Sequence, residues 1–258
     1  MTVSPSAAYF ISDAHLGISL PPHDNRETDL IGFLRRLEGG ATHLFILGDL
    51  FDFWIEYRHA VRPEYFEALY ALRRLSDAGT RIHYLMGNHD FALGPFLVDH
   101  VGLRIHEHYR CETLQGRKVY LFHGDGLIRA DYGYRILKRI LRNKRNQQLY
   151  RLLHPTLAIG LASFFSGSSR ALLARRCGPQ VLREYRRHAR ELLRRDNDIV
   201  VFGHTHAPEI TEWNDGTYCN CGEWIRQYNY AVMREGRISL WRYHPEGDDE
   251  RIGPSAKS

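Results

Sequence analysis

Ile46-Leu47-Gly48-Asp49-Leu50-Phe51-Asp52-Phe53-Trp54 is an apolar run that stops at Gly-Asp and then turns. A run of this kind predicts a buried parallel strand, and open α/β sheets build their sites at the C-terminal ends of such strands. Four more stretches share the pattern: Phe10-Ile11-Ser12-Asp13-Ala14-His15, Tyr84-Leu85-Met86-Gly87-Asn88-His89-Asp90, Tyr120-Leu121-Phe122-His123-Gly124-Asp125 and Val200-Val201-Phe202-Gly203-His204-Thr205-His206. Each is an apolar run ending in residues that ligate metals. A lone Gly-Asp is ordinarily a turn, and a lone histidine at a strand end is ordinarily a hydrogen-bonded surface or core residue. Five such ends together predict one rim on which Asp, Asn and His converge, with Asp49 at its centre.

The intervening sequence supports a β-α-β-α-β series. Residues 7–12, 43–48 and 81–86 read as strands. Leu30, Phe33, Leu34 and Leu37 give residues 24–37 a helical period that ends at Gly39-Gly40, and a second helix runs from Pro63 through Phe66, Leu69, Leu72 and Leu75 to Gly79. Such alternation predicts parallel strands with right-handed crossovers. A short helix around Pro95 to His100 follows, then a hairpin over 109–122 turning at Gln115-Gly116-Arg117, so the sheet is expected to be mixed. A long helix from about Gly178 to Arg195, a strand at 198–202, and short strands near 209–213, 217–220, 228–234 and 237–243 complete the core. The expected organisation is one domain over 1–244 with a helical basic insertion at about 129–177, followed by a polar, disordered tail over 245–258.

The chain of 258 residues is 43% hydrophobic, enough for one sizeable core. Residues 2–7 are short and polar ahead of the first apolar run, which predicts neither signal peptide nor spanning helix and a cytoplasmic location. Cys111, Cys177, Cys219 and Cys221 lack CxxC spacing and are expected to be free thiols. The net charge of +5 is unevenly spread: residues 129–195 hold 17 Lys/Arg against Asp131, Glu184 and Glu191, or +14, leaving −9 for the rest. An anionic partner for that segment is implied.

Asp13 and His15 are two residues apart, as are His204 and His206; if the chain stays extended, each pair projects to one side. Oxygen and imidazole donors without cysteine suit divalent Mn, Fe, Co or Zn rather than a structural zinc site. Seven candidate ligands (Asp13, His15, Asp49, Asn88, His123, His204, His206) are too many for one ion. They suffice for two ions sharing Asp49 at a separation of about 3.5–4 Å, with manganese the first choice.

Asp13-x-His15, Gly48-Asp49-x-x-Asp52, Gly87-Asn88-His89-Asp90, His123-Gly124-Asp125 and Gly203-His204-x-His206 resemble, in order, the motif set of the calcineurin-like metallophosphoesterases. The resemblance implies an α/β fold, a four-layer αββα sandwich with the helical insertion as a lid. It also implies one ion on Asp13, His15, Asp49 and His206 and another on Asp49, Asn88, His123 and His204. His89 held by Asp52 matches the catalytic pair that protonates the leaving group or stabilises the transition state, with Asp90 and Asp125 behind the ligands. Within that superfamily, Ser12-Asp13-Ala14-His15-Leu16-Gly17, Asp49-Leu50-Phe51-Asp52-Phe53-Trp54, Gly87-Asn88-His89-Asp90-Phe91 and His123-Gly124-Asp125-Gly126-Leu127 look most like the UDP-2,3-diacylglucosamine diphosphatases of lipid A synthesis. Two departures stand out: those enzymes carry Arg where this chain has His89, and a Gly-Asp-Asp where it has Glu56-Tyr57-Arg58.

The segment Tyr134-Arg135-Ile136-Leu137-Lys138-Arg139-Ile140-Leu141-Arg142 sets cations beside an apolar stripe. That arrangement suits an anionic headgroup with acyl chains or the inner face of the cell membrane, with Asp131, Arg135 and Arg139 as substrate-binding candidates. The alternative is that the stripe is the insertion's own core and the arginines its solvated face, and the two readings can coexist. The expected reaction is hydrolysis of the pyrophosphate of a UDP-linked acylated sugar. The alternatives are a phosphoesterase for a soluble nucleotide or protein phosphoester, and a nuclease; few aromatics stand in the basic segment for base stacking, which argues against nucleic acid.

Overall fold

The computed structural model describes residues 7–18, 25–57, 60–128, 139–140, 143–150, 152–153, 157, 160 and 178–254. Strand β1 (Ala7–Ile11) leads to helix α1 (Arg26–Leu37), β2 (Ala41–Leu47), the two-residue β3 (Trp54–Ile55), a 3-10 turn at Pro63–Tyr65, α2 (Phe66–Asp77), β4 (Arg81–Leu85), β5 (Asp90–Ala92), α3 (Pro95–Asp99) and β6 (Leu103–His106). A hairpin of β7 (Arg110–Leu114) and β8 (Arg117–Leu121) follows. Beyond it come helices Lys144–Tyr150 and Pro179–Leu193, then β9 (Ile199–Phe202), β10 (Glu209–Trp213), β11 (Gly216–Asn220), β12 (Asn229–Arg234), β13 (Arg237–Arg242) and β14 (Glu250–Ile252).

The strands form two main sheets. One runs β14-β13-β12-β1-β2-β4-β6, with β1, β2, β4 and β6 parallel and β12, β13 and β14 antiparallel. The other runs β10-β11-β9-β8-β7, and β3 pairs with β5 separately. Side chains alternate along each strand, so each parallel strand feeds two cores. From β2, Leu44 and Ile46 join Leu30, Phe33, Leu34, Leu72 and Leu75 beneath α1 and α2, whereas Phe45 and Leu47 meet Val119, Leu121, Val201, Cys219 and Cys221 between the sheets. On the far side, Val200 and Phe202 of β9 pack under Tyr185, Ala189 and Leu193 of the Pro179–Leu193 helix. The order is therefore helix, sheet, sheet, helix. Phe10 and Phe45 stack at 5.1 Å in the middle of it, and truncating such a ring to Ala costs about 3–5 kcal/mol.

Three differences from the sequence reading have physical causes. The hairpin belongs to the second sheet rather than extending the first. Residues 250–252, expected to be disordered, form β14: Ile252 pairs with Leu240, Glu250 bonds Arg242, and Asp249 accepts from Tyr230, Arg36 and the His244 amide. Few of these side chains are apolar, so hydrophobic patterning missed them. The short strands β3, β5 and β6 were also too brief to show a period. Cys219 and Cys221 are buried free thiols and Cys111 is an exposed one, as expected; Cys177 lies outside the described residues. No helix among the described residues is long and apolar enough to cross a membrane.

Candidate metal centre

All seven predicted ligands follow the C-terminal ends of β1, β2, β4, β8 and β9. The backbone that presents them is not extended, as the sequence reading supposed. Asp13 (φ 54), His15 (φ 46), Asp49 (φ 53), His204 (φ 68) and His206 (φ 56) all occupy the left-handed region, which costs a non-glycine residue roughly 1–2 kcal/mol. Each strand breaks from its sheet in a kink rather than running on with alternate side chains. Backbone hydrogen bonds hold the kinks: Asp13 N donates to Gly48 O at 3.1 Å, His15 N to Asp49 O at 2.9 Å, Leu16 N to Leu50 O at 2.9 Å and Asp52 N to Leu16 O at 2.9 Å. Strain concentrated at one rim and fixed by its surroundings is a mark of a functional site.

Two glycines make the approach possible. A Cβ on Gly87 would lie 2.2 Å from Asp49 Oδ1, and one on Gly48 would lie 2.5 Å from His123 Nδ1.

The ligands gather in clusters. Asp13, His15 and His206 form one, and Asp49, His123 and His204 another. Asn88 joins the second, its Oδ1 being 3.0 Å from His123 Nε2. Asp13 and His15 are buried, as are Asp49, His123 and His204, whereas the His206 side chain is 27% exposed. His204 N donates to Asp13 Oδ2 at 2.8 Å, tying the two clusters together.

The donor set calls for cations. His123 Nδ1 lies 2.6 Å from the Leu47 carbonyl, which can only accept, so Nδ1 carries the proton. Nε2 faces Asn88 Oδ1, Asp49 Oδ2 at 3.4 Å and His204 Nδ1 at 3.2 Å. Burial alone would lower the His123 pKa, but the carboxylates of Asp49, Asp13 and Asp125 outweigh it and raise it to about 10. Both ring nitrogens of His15 and Oδ1 of Asp13 are buried without a hydrogen-bond partner, although Asp13 Oδ1 is 3.3 Å from His206 Nε2. Burial and the charge of His89 hold His15 well below its usual range, and burial with His123 pushes His204 down to about 4. Burial pulls the Asp13 carboxyl upward, yet His206 and His123 bring it to about 2. Burial likewise opposes ionisation of Asp49, and His123 and His89 hold it well below the carboxylate range. The ionised Asp13 and Asp49 and the neutral His15 and His204 are in the protonation state metal ligation requires, whereas His123 and His206, raised by those carboxylates, must release a proton when an ion binds.

His89 lies beside the first cluster, grouped with His15 and Asp52, and its ring meets His15 edge-on at 4.7 Å. Its Nδ1 bonds the backbone carbonyl of Asp52 at 2.8 Å, while the Asp52 carboxylate stands 3.8 Å away. Asp52 therefore contacts His89 most closely through its main-chain carbonyl, with its carboxylate alongside. The carbonyl fixes the proton on Nδ1 and leaves Nε2 as the nitrogen able to exchange one.

Asp90 supports the ligands as expected, accepting from Asp49 N at 2.9 Å, Gly87 N at 2.8 Å and Tyr84 Oη at 2.6 Å. Burial, with the charge of Asp49, raises its carboxyl to about 6. Two supports escaped the sequence reading. Tyr84 is a hydroxyl in an otherwise apolar strand, and it also accepts from Leu50 N. Arg26, 3% exposed, donates to the carbonyls of Ala14 at 3.3 Å, His15 at 3.2 Å and Ile18. Its signal was a charge at the head of the apolar stripe Leu30, Phe33, Leu34 and Leu37. Of the proposed substrate contacts, Asp131 and Arg135 lie outside the described residues and Arg139 is exposed.

Residues 8–208 match the family described as calcineurin-like phosphoesterase. Curated relatives named UDP-2,3-diacylglucosamine hydrolase align almost end to end. That of Porphyromonas gingivalis is 32% identical over 245 residues, covering 88% of this chain and 94% of the relative. That of Aeromonas hydrophila is 30% identical over 237 residues, covering 90% and 96%. Among solved structures, Yfce, a phosphoesterase from E. coli, is 16% identical, covers 96% of this chain and 97% of that one, and superposes with a TM-score of 0.46.

Proposed function

The chain belongs to the calcineurin-like phosphoesterase family and is a metal-dependent hydrolase, and we propose that it cleaves the pyrophosphate of UDP-2,3-diacylglucosamine. One water is consumed across the P–O–P bond, giving UMP and 2,3-diacylglucosamine 1-phosphate. In this reading Asp13, His15, Asp49 and His206 would hold one divalent ion, and Asp49, Asn88, His123 and His204 would hold the other. The Asp49 carboxylate acts electrostatically on His15 of the first cluster and His123 of the second, which supports it as the bridge. Ions bound there supply Lewis-acid charge to the pyrophosphate and make water nucleophilic near neutral pH. Manganese is our first assignment, with iron, cobalt and zinc as alternatives.

His89 completes the site. Its Nδ1 proton is committed to the Asp52 carbonyl, so Nε2 is placed to give a proton to, or hydrogen-bond, the departing phosphate oxygen. The backbone of Asp52 fixes the ring's tautomer and tilt.

The observation that carries the acylated substrate is a patch of exposed apolar side chains joined to the rim through Phe53. Phe53, one residue beyond Asp52, packs against Tyr150 of the Lys144–Tyr150 helix at 6.1 Å. Leu149 and Leu152, in and just beyond that helix, are 64% and 81% exposed. Apolar side chains left in solvent beside a phosphate-cleaving site suit a ligand with acyl chains. The cations of the 129–177 segment support contact with an anionic membrane face. The relatives act on the same substrate by name. The test is product identification by mass spectrometry after incubating the manganese-loaded protein with UDP-2,3-diacylglucosamine and with its deacylated counterpart. UMP release from the acylated substrate at a far higher rate is expected; equal rates would overturn the lipid assignment and leave a phosphoesterase for a soluble ligand.

A further inference from the structure

The face of the first sheet that looks toward the second changes character along its cross-strand rows. In register, Phe10 lies beside Phe45, Phe45 beside His83 and His83 beside Arg104; the row before it runs from His43 to Arg81, and the row after ends at His106. Phe10, Phe45 and Leu85 belong to the core between the sheets. Toward the edge strand β6 the same face becomes basic. Opposite stands β7, the edge of the other sheet, which presents Arg110 and Glu112. Between them lies a cavity of about 460 Å³ lined by His43, Arg81, His83, Arg104, Arg110 and Glu112. It opens near the starts of β2 and β4, whereas the metal ligands follow their ends, about 20 Å away at the rise of an extended strand.

We propose that this cavity is a second anion site, built for a phosphate-bearing ligand and separate from the metal centre. Inward charges on edge strands are a common guard against aggregation, and that explains Arg104 and Arg110. It does not explain His43 and Arg81, which sit on the interior strands β2 and β4, nor the near absence of acids. Glu112 is the one carboxylate lining the cavity, and it is already bonded to Arg110. The guanidiniums of Arg81 and Arg104, both exposed residues, form no hydrogen bond or ion pair with any described residue. His83 is 3% exposed; its Nδ1 bonds His106 Nε2 at 3.0 Å, and its ring stacks on Phe45 and on His106. Burial, then the charges of His106 and Arg110, push its pKa down to about 3, as expected where positive charge is in excess. Two unpaired guanidiniums beside a rigid imidazole stack match the donor geometry by which proteins hold phosphate. The volume accommodates a pyrophosphate or the phosphate end of a nucleotide.

The test is NMR of histidine-labelled, magnesium-loaded full-length protein titrated with inorganic pyrophosphate and, separately, with UMP. Saturable shifts of the His83 and His106 ring signals are expected. If both probes move them with similar midpoints, the site reads phosphate alone; if only UMP does, its ligand is a nucleotide; either supports the site. The double variant Arg81→Gln/Arg104→Gln should raise the midpoint roughly tenfold or more. Should that variant unfold, Glu112→Gln serves, and it should tighten binding severalfold by removing the one opposing charge. No saturable shift up to about 10 mM, an unchanged midpoint in a folded double variant, or weaker binding in Glu112→Gln would overturn the proposal.

Discussion

Asp49 Oδ2 and His123 Nε2 face each other at 3.4 Å, both residues essentially without solvent contact. The far nitrogen of His123 is tied to the Leu47 carbonyl, on the strand that delivers Asp49. Strand β2 thus delivers Asp49 and orients the His123 ring, so both are fixed to the same strand. Asp49 Oδ1 meanwhile accepts from the amide of His89 at 2.8 Å, linking His89 to the same carboxylate.

From that position Asp49→Ala should lose bound metal and activity together while the fold survives, because Asp49 is buried at the rim rather than within any of the three apolar cores. Metal content by atomic spectroscopy, beside circular dichroism, checks it. A variant that retains two ions per chain would remove Asp49 as the bridge.

His89→Ala should keep its metals yet lower turnover by roughly a hundredfold or more, the usual scale for a positioned acid–base group. The tautomer predicts a further contrast. His89→Gln can still donate to the phosphate oxygen but cannot transfer a proton, so it should recover part of the loss only if stabilisation, rather than proton transfer, dominates. Turnover and metal content measured together separate the two; unchanged turnover in both variants removes His89 from the chemistry.

Gly87→Ala tests crowding without touching a ligand. Its new Cβ would meet Asp49 Oδ1 at 2.2 Å, well inside contact distance, so the carboxylate must move. We expect metal affinity to fall by about tenfold or more, the scale seen when groups orienting a metal ligand are disturbed. Titration with manganese gives the comparison, and wild-type affinity would mean that the rim is softer than its hydrogen bonds indicate.

The rim was legible in sequence because five strands end the same way, and strand ends are where apolar periodicity is interrupted most visibly. The left-handed kinks at Asp13, His15, Asp49, His204 and His206 were not, since backbone torsion leaves no mark on side-chain spacing when Asp and His tolerate it. Arg26 and Tyr84 were hidden for the opposite reason: each sits inside an apolar pattern that was read as core. The β14 strand escaped because Ile252 is its one apolar side chain packed on the core, and charged and aromatic contacts around Asp249 and Arg36 supply the rest.

His83 makes stability depend on pH. Its folded pKa of about 3 is far below the ordinary 6.5, so below 6.5 the unfolded chain binds a proton that the native state refuses. The stability this group contributes is complete above pH 6.5 and lost as pH falls toward 3, with a slope of at most about 1.4 kcal/mol per pH unit per proton. His43 on β2, His106 and Arg104 on β6, Arg81 on β4, and Arg110 and Glu112 on β7 surround it, and burial lowers both His43 and His106 as well. Urea unfolding in phosphate-free buffer from pH 7 to 5 should show a fall that is shallower in His83→Phe. Identical slopes would place the pH dependence elsewhere.

The apolar wall gives the last prediction, and it separates two contributions to substrate capture. If Tyr150, Leu149 and Leu152 receive acyl chains, shortening the chains should cost about 0.8 kcal/mol of affinity per buried CH₂ until the wall is bare. Leu152→Ser should then weaken the acylated substrate and leave a deacylated UDP-sugar unaffected, because Leu152 is 81% exposed and carries little of the fold. Arg139 should act differently. It is exposed, so Arg139→Ala should weaken binding to anionic vesicles by about 1 kcal/mol, and raised salt should erase the difference by screening. Steady-state kinetics across a chain-length series, run beside vesicle sedimentation at two salt concentrations, measures both. Equal losses on acylated and deacylated substrates in Leu152→Ser would show that the wall supports the site rather than the lipid.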